Sequence, residues 1–352
     1  MFEPLFLVNS TAQSLSVFAN ALVCIISFAV PIIIVAYAGM FSERSGVINL
    51  SLEGMMVFGA FAGFLVLKYL TDPTDSTKCL INPQLAVFIG ILASAVAGFL
   101  MSLLLSLAAI KLKGDQTIIG TAINTFVPAI CIIVSWRLFG SGQTNIYTPI
   151  WVRINYNPEI LSVNSVPDAA SSSQLNSFFW NKVMFSNFYL TTPVIILLII
   201  LSWLFLFHTK TGLRIRACGE NPQAADSVGI NVAKMRFLGT SIGGILAGIG
   251  GFAVCLYIGY TASVAGLGFL ALAVMIFGNW NPGRIIFAGI FFAIFRTLAN
   301  ISDVLPAIPG LSYYSYLYST IPYLMTLIIL IFTSKRSHAP KSEGIPYDKS
   351  AR

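Results

Sequence analysis

The chain has 352 residues, of which 57% are hydrophobic and 9% are charged, and its mean hydropathy is +0.84. Soluble domains carry about 25% charged residues, so the composition excludes an ordinary soluble protein and predicts a surface that faces lipid. The formal net charge of +7 would suit a nucleic-acid partner. The basic residues gather in short loops and in the tail, however, which indicates the positive-inside bias of a membrane protein and no nucleic-acid partner.

Long apolar stretches without charged residues divide the chain. Each can hold a helix of about 20 residues, the length that crosses the hydrocarbon core. Continuous apolar stretches favour helices, since membrane strands would alternate polar and apolar residues. The sequence therefore predicts an all-α, polytopic transmembrane bundle with about nine spans. The predicted spans cover residues 14–40, 50–70, 84–110, 116–138, 188–208, 237–260, 264–279, 285–302 and 319–334.

Basic residues predict how this bundle is oriented. The loop 209–236 and the tail 335–352 are rich in Lys and Arg, and both fall on one side of a nine-span bundle. The positive-inside rule makes that side the cytoplasm, which places the C-terminus there. Residues 1–334 then form the transmembrane domain, with 139–187 as an extracellular loop that is either an ordered cap or disordered. The tail lacks an apolar pattern and is predicted to be disordered.

The loop 209–236 contains the signals of one short helix. Asn221 is a good N-cap residue, and Pro222 suits the first helical position. Residues 223–228 can form about two turns, which Gly229 can end in the left-handed conformation. The result is a compact, basic surface, although an ordinary positive-inside connector explains the same residues equally well.

Several stretches resemble one family of transport proteins. The loop 209–236 resembles the conserved cytoplasmic loop in permeases of ATP-driven importers for branched-chain amino acids, ribose and nucleosides. Glu43-Arg-Ser-Gly46 is most similar to the shorter permease of nucleoside importers, in which two different permeases pair. Four stretches outside this loop also resemble motifs of the family, at residues 43–56, 114–124, 266–283 and 321–325.

The resemblance implies a multi-pass permease of the bacterial cell membrane that forms half of a pore. It implies three partners: an ATP-binding subunit, a second permease that is the same or different, and an extracellular substrate-binding protein. It implies a nucleoside as substrate, or a related small polar solute such as a sugar or riboflavin. In this family the short loop helix docks into the ATPase. That assigns ATPase coupling to Gly219, Glu220, Asn221, Pro222, Ala224, Ala225 and Gly229.

The energy source has one competing interpretation. The sequence has no Gly-x-x-x-x-Gly-Lys-Ser/Thr loop, so a separate ATPase or an ion gradient must drive transport. A gradient-driven secondary transporter would need intramembrane ionisable groups, for which Glu53 and Arg296 are the candidates. The five cysteines show no metal-ligand spacing, and no nucleophile–base pair indicates an enzyme. We expect neither a cofactor nor a metal.

Three polar residues near the second and fourth predicted spans are candidates for the translocation path or gate. Glu53 lies just inside an apolar span, where a carboxylate is costly unless it faces a cavity or a partner. Asn49 can cap the same helix, and Asn124 can bridge two helices. The alternative for Glu53 is a structural lock, with Arg44 as its expected partner. For Asn124 the alternative is a helix-bridging role.

Glycines crowd the sixth predicted span at intervals of four residues, as in Gly239/Gly243 and Gly244/Gly248. This spacing lets two helix backbones approach closely on one face. We expect packing there, either within the subunit or between two permeases.

Overall fold

The computed structural model describes residues 3–73, 75, 78–140, 146, 148–153, 189–301, 320, 324, 327 and 338–347. Ten α-helices lie in this part of the chain. They are α1 (Glu3–Arg44), α2 (Leu52–Leu70), α3 (Pro83–Ser106), α4 (Gln116–Phe139), α5 (Thr191–His208), α6 (Lys210–Glu220), α7 (Pro222–Ser227), α8 (Val232–Ile258), α9 (Leu267–Phe277) and α10 (Pro282–Ile301).

Six of the described helices are long and apolar enough to cross a membrane. They overlap the first six predicted spans and confirm an all-α, multi-pass membrane protein. They cover Ala21–Arg44, Leu52–Leu70, Pro83–Lys111, Gln116–Phe139, Thr191–His208 and Val232–Ile258.

The predicted total of nine spans is not confirmed. The seventh predicted span, 264–279, corresponds to α9, whose 11 residues extend roughly 16 Å at about 1.5 Å per residue. That is about half of the hydrocarbon core. Helix α10 covers the eighth predicted span. The ninth, 319–334, lies almost wholly outside the described residues.

Helix α8 forms the centre of the bundle, where it packs on α1, α2 and α3. A Cβ added to Gly248 would lie 2.3 Å from the carbonyl oxygen of Ser94 and 3.0 Å from Cα of Gly98. A side chain of any size is therefore excluded, and the backbones of α3 and α8 touch. The close packing predicted for these glycines is confirmed, and it occurs within the subunit.

The outer helices expose large apolar side chains. Within the most apolar 18 residues of each helix, only 22% are buried in α4 and 33% in α5, against 72% in α8. Leu92, Val96 and Leu100 of α3 are likewise about half exposed. In a membrane these surfaces contact lipid tails or another apolar helix, so they need no protein cover within the subunit.

Two groups of connections mark the two ends of the bundle. One end, called the α6–α7 end below, contains α6, α7, the end of α1 and the segment 338–347. At the opposite end Ile146 pairs with Tyr260 through backbone hydrogen bonds, and Trp151 is buried. Most of the predicted extracellular loop 139–187 lies outside the described residues.

Candidate functional site

Helix α7 has the local geometry that the sequence predicts. The side chain of Asn221 accepts a hydrogen bond from the backbone N–H of Ala224 at 3.0 Å, and Pro222 occupies the first helical position. Gly229 follows in the left-handed region, at φ +83°. The helix predicted at 223–228 is thus observed one residue earlier, at Pro222–Ser227. Because a cap, a proline and a glycine act locally, sequence alone can position so short a helix.

One face of α7 is buried and the other is exposed. Ala225 is 4% exposed and packs with Cys218 and Val232 in a small apolar cluster of its own. Ala224 lies on the exposed face, and Val228, just beyond the helix, is 74% exposed. The helix is therefore anchored on one side, and its other side is exposed.

Helix α6 lies directly against the end of α1. A Cβ on Gly219 would be 2.3 Å from the carbonyl oxygen of Arg44, so only glycine permits this contact. The Arg44 guanidinium pairs with Glu220 at 3.5 Å and donates to the carbonyl oxygen of Trp280 at 3.1 Å. The predicted Arg44–Glu53 pair is therefore wrong. Arg44 instead ties α1 to α6 and to the turn between α9 and α10.

The segment 338–347 packs on the α6–α7 end, contrary to the predicted disorder of the tail. The Ser342 hydroxyl donates to the carbonyl oxygens of Gly219 at 2.6 Å and Cys218 at 3.1 Å, and the Ser342 N–H also donates to Gly219 at 2.9 Å. The last carbonyls of a helix lack intrahelical donors. Ser342 therefore satisfies groups that α6 leaves open, an interaction that leaves no hydrophobic pattern in the sequence.

A carboxyl pair that the sequence analysis missed lies beside this segment. Glu43 is 4% exposed and accepts from the indole N–H of Trp280 at 2.6 Å. Its carboxyl also lies close enough to the carboxyl of Glu343 for the two groups to interact electrostatically. Burial raises the pKa of Glu343 to about 7. Two neighbouring carboxyl groups repel each other when both are charged, so this contact is sensitive to pH.

Glu53 holds the beginning of α9. Its carboxylate accepts from the backbone N–H of Gly266 at 3.0 Å and of Gly268 at 2.7 Å. The first N–H groups of a helix lack intrahelical acceptors and carry partial positive charge, which a carboxylate complements. The expectation of a structural lock fits this geometry, with the α9 N-terminus in place of Arg44. A role in the gate stays a prediction.

The two asparagines surround the beginning of α2. Asn124 accepts from the N–H of Gly54 at 2.8 Å and donates to the carbonyl oxygen of Leu50 at 2.7 Å, so α4 caps α2. Asn49 accepts from the N–H of Ser51 at 3.2 Å and makes no cap bond to the helix itself. The predicted cap by Asn49 is thus wrong, because Asn124 supplies it. The structure brings Asn49, Glu53 and Asn124 together around one helix start.

Comparisons with known proteins show which family the chain resembles. The family model described as "Branched-chain amino acid transport system / permease component" matches residues 21–331. The guanosine ABC transporter permease protein NupQ of Bacillus subtilis is 36% identical over 329 residues, which cover 92% of this chain and 95% of that protein.

Two further relatives match over most of their length. The nucleoside ABC transporter permease protein NupC of Lactococcus lactis is 34% identical, over 92% of this chain and 95% of that protein. The putative glucose ABC transporter permease protein TsgC13 of Haloferax volcanii is 26% identical, over 91% and 93%. No solved structure matches the chain.

Proposed function

The chain belongs to the family of branched-chain amino acid transport permease components, and we propose from this that it forms half of the pore of an ATP-binding-cassette importer for nucleosides. The observation that carries the proposal is α7, a capped and exposed short helix in a chain of this family. Its place at the end of a multi-pass bundle suits a contact with a separate, ATP-hydrolysing subunit.

The substrate proposal rests on the relatives. Two relatives that are more than 30% identical over most of their length are named for guanosine and for nucleosides, whereas the relative named for glucose is 26% identical. Glu43-Arg-Ser-Gly46, the form expected of nucleoside permeases, also has a physical use here. Glu43 and Arg44 bind Trp280 and Glu220, and so fasten the end of α1.

We assign a different partner to each end of the bundle. An ATP-binding subunit docks at the α6–α7 end. The docking helix is formed and supported by the residues assigned to ATPase coupling: Gly219, Glu220, Asn221, Pro222, Ala224, Ala225 and Gly229. This end is then cytoplasmic, together with the segment 338–347, which suits the Lys and Arg residues around it. A substrate-binding protein delivers nucleoside at the opposite end, and a second permease completes the pore.

A gradient-driven transporter is not favoured. It needs an ionisable group that can exchange protons or ions within the membrane. Both oxygens of Glu53 accept hydrogen bonds from α9, so this carboxylate has a structural partner.

The docking role of α7 is tested with Ala224→Arg, which adds a long charged side chain to the exposed face and leaves the buried Ala225 untouched. The chain is co-expressed with its ATPase and second permease, and both ATPase retention and uptake of radiolabelled guanosine are measured. We expect Ala224→Arg to abolish both. Asn221→Pro, which removes the cap and cannot adopt the φ of −149° found there, should also stop uptake.

The matched control is Lys234→Ala, an exposed change at the same end of the bundle on α8. It should leave retention and uptake unchanged. Normal uptake by Ala224→Arg would remove α7 from the ATPase contact. Uptake by the purified chain alone, driven by an ion gradient without ATP, would overturn the importer assignment.

A further inference from the structure

The segment 338–347 contacts two sets of elements that share α1 as a neighbour but otherwise pack on different helices. Among the described helices, α6 and α7 pack on α1, α5 and α8, whereas α9 packs on α1, α2 and α10. The segment forms hydrogen bonds to the end of α6 and to the turn that follows α9. It is thus a direct connection from the docking helix to α9.

Its contacts with the docking side are numerous. Ser342 binds the carbonyl oxygens of Gly219 and Cys218 at the end of α6. Arg236, which is 2% exposed at the start of α8, donates to the carbonyl oxygen of Ile345 at 2.8 Å. Tyr347 packs against the small apolar cluster beneath α7. Through Ser342 and Tyr347 the segment is held to the helices that would move with an ATPase, and through Arg236 to the adjoining start of α8.

Its other contacts lie on the α9 side and on α1. The N–H of His338 donates to the side chain of Asn279 at 2.9 Å, in the turn between α9 and α10. The Glu343 carboxyl meets Glu43, which in turn binds Trp280 of the same turn. The segment is therefore fastened at both sides, as a mechanical link must be.

We propose that the segment 338–347 is a strap that transmits movement of the ATPase-docking unit, α6 and α7, to the α9–α10 turn. This inference rests on the proposed docking role of α7. Without the strap the ATPase still binds the exposed face of α7 and hydrolyses ATP, but the motion reaches α9 incompletely. Transport per ATP then falls while complex assembly persists.

The test compares three variants in the full complex reconstituted into liposomes. Ser342→Pro removes the Ser342 N–H and hydroxyl and so releases the docking side. Asn279→Gly removes the acceptor for His338 but keeps the positive φ of +53° at that position, and so weakens only the α9 side. Lys341→Ala changes an exposed side chain of the same segment and is the matched control. ATPase retention, ATP hydrolysis and guanosine uptake are measured on each.

A fourth measurement reports directly whether the strap has detached from α6. Cys218 is buried beneath Ser342, and burial raises the pKa of its thiol to about 11. In a background with Cys24→Ser and Cys79→Ser, a maleimide should label Cys218 faster in Ser342→Pro than in the parent chain. The labelling does not depend on the substrate, so it shows that the strap has opened even where uptake is lost.

We expect Ser342→Pro to retain the ATPase and to lower guanosine transported per ATP about fivefold or more, the low end of allosteric coupling factors. Asn279→Gly should lower the same ratio without exposing Cys218. Unchanged transport per ATP in Ser342→Pro, with Cys218 exposed, would overturn the strap alone. Failure of the parent chain to retain any ATPase would instead overturn the proposed function, and this inference with it.

Discussion

At the scale of single residues, buried polar side chains in this protein hold helix ends. Glu53 binds the first N–H groups of α9, Asn124 binds those of α2, and Ser342 binds the last carbonyls of α6. Helix ends carry the unsatisfied backbone groups of a bundle, and a membrane supplies no water for them. A polar residue inside an apolar span is therefore explained here by a helix end elsewhere in the chain.

Glu53→Ala should destabilise the protein by about 1.5–3 kcal/mol, the size of a hydrogen bond to a charged group. The N–H groups of Gly266 and Gly268 would lose their acceptor inside the bundle. Thermal unfolding is measured in detergent as the fraction of monodisperse protein that is recovered after heating. Glu220→Ala removes a carboxylate that is about half exposed and should have a much smaller effect. If Glu53→Ala kept full thermal stability but lost uptake, Glu53 would belong to the gate.

At the scale of elements, α8 organises the bundle because its glycines let three helices approach its backbone. Its contacts with α3 are backbone to backbone at Gly244 and Gly248. Such contacts gain dispersion energy over a large area, the main favourable term between helices in lipid. They also leave no space for a methyl group.

Gly248→Ala should therefore cost about 1–3 kcal/mol by overpacking. The new Cβ would meet the Ser94 carbonyl oxygen at 2.3 Å, and α3 would have to move away. Gly283→Ala is the matched control, because at the start of α10 the nearest atom would be 3.7 Å away. Thermal unfolding of both variants gives the comparison. Equal melting of Gly248→Ala and the parent would show that α3 and α8 adjust freely.

At the scale of the whole molecule, the α6–α7 end is tied together through the carboxyl pair of Glu43 and Glu343. The pKa of Glu343 is raised from 4.5 to about 7 by burial in the docked strap. The docked state therefore favours the protonated carboxyl. Docking is strongest below pH 4.5, weakens as pH rises through 7, and stays weaker above that.

This pH dependence is measured by the maleimide labelling rate of Cys218 between pH 5 and 8.5, a range chosen to bracket the pKa near 7. Glu343→Gln is the reference, because the amide has nearly the same shape as the carboxyl and does not titrate. We expect the rate of the parent, divided by that of Glu343→Gln, to rise as pH increases. The ratio cancels the titration of the thiol itself. A ratio that is flat over the whole range would contradict a role of this carboxyl in holding the strap.

The sequence predicted the features that depend on local or bulk properties. Hydropathy located the first six spans, and local cap signals located α7 through Asn221, Pro222 and Gly229. Long-range partners could not be predicted. The binding of Glu53 to α9 bridges 213 residues, and the strap binds through backbone carbonyls and Ser342, which carry no periodic signal. The apolar stretch of α9 likewise gave no sign that it is too short to cross the membrane.

The link between Glu53 and α9 has a consequence for how the protein is made. Synthesis of the 213 residues that separate Glu53 from Gly266 takes roughly 10–40 s at about 5–20 residues per second. For most of that interval α2 has left the ribosome, but its carboxylate has no helix end to bind. The second helix can therefore reach its final position only after the ninth has been synthesised, and biogenesis of the bundle must protect a partnerless carboxyl group until then.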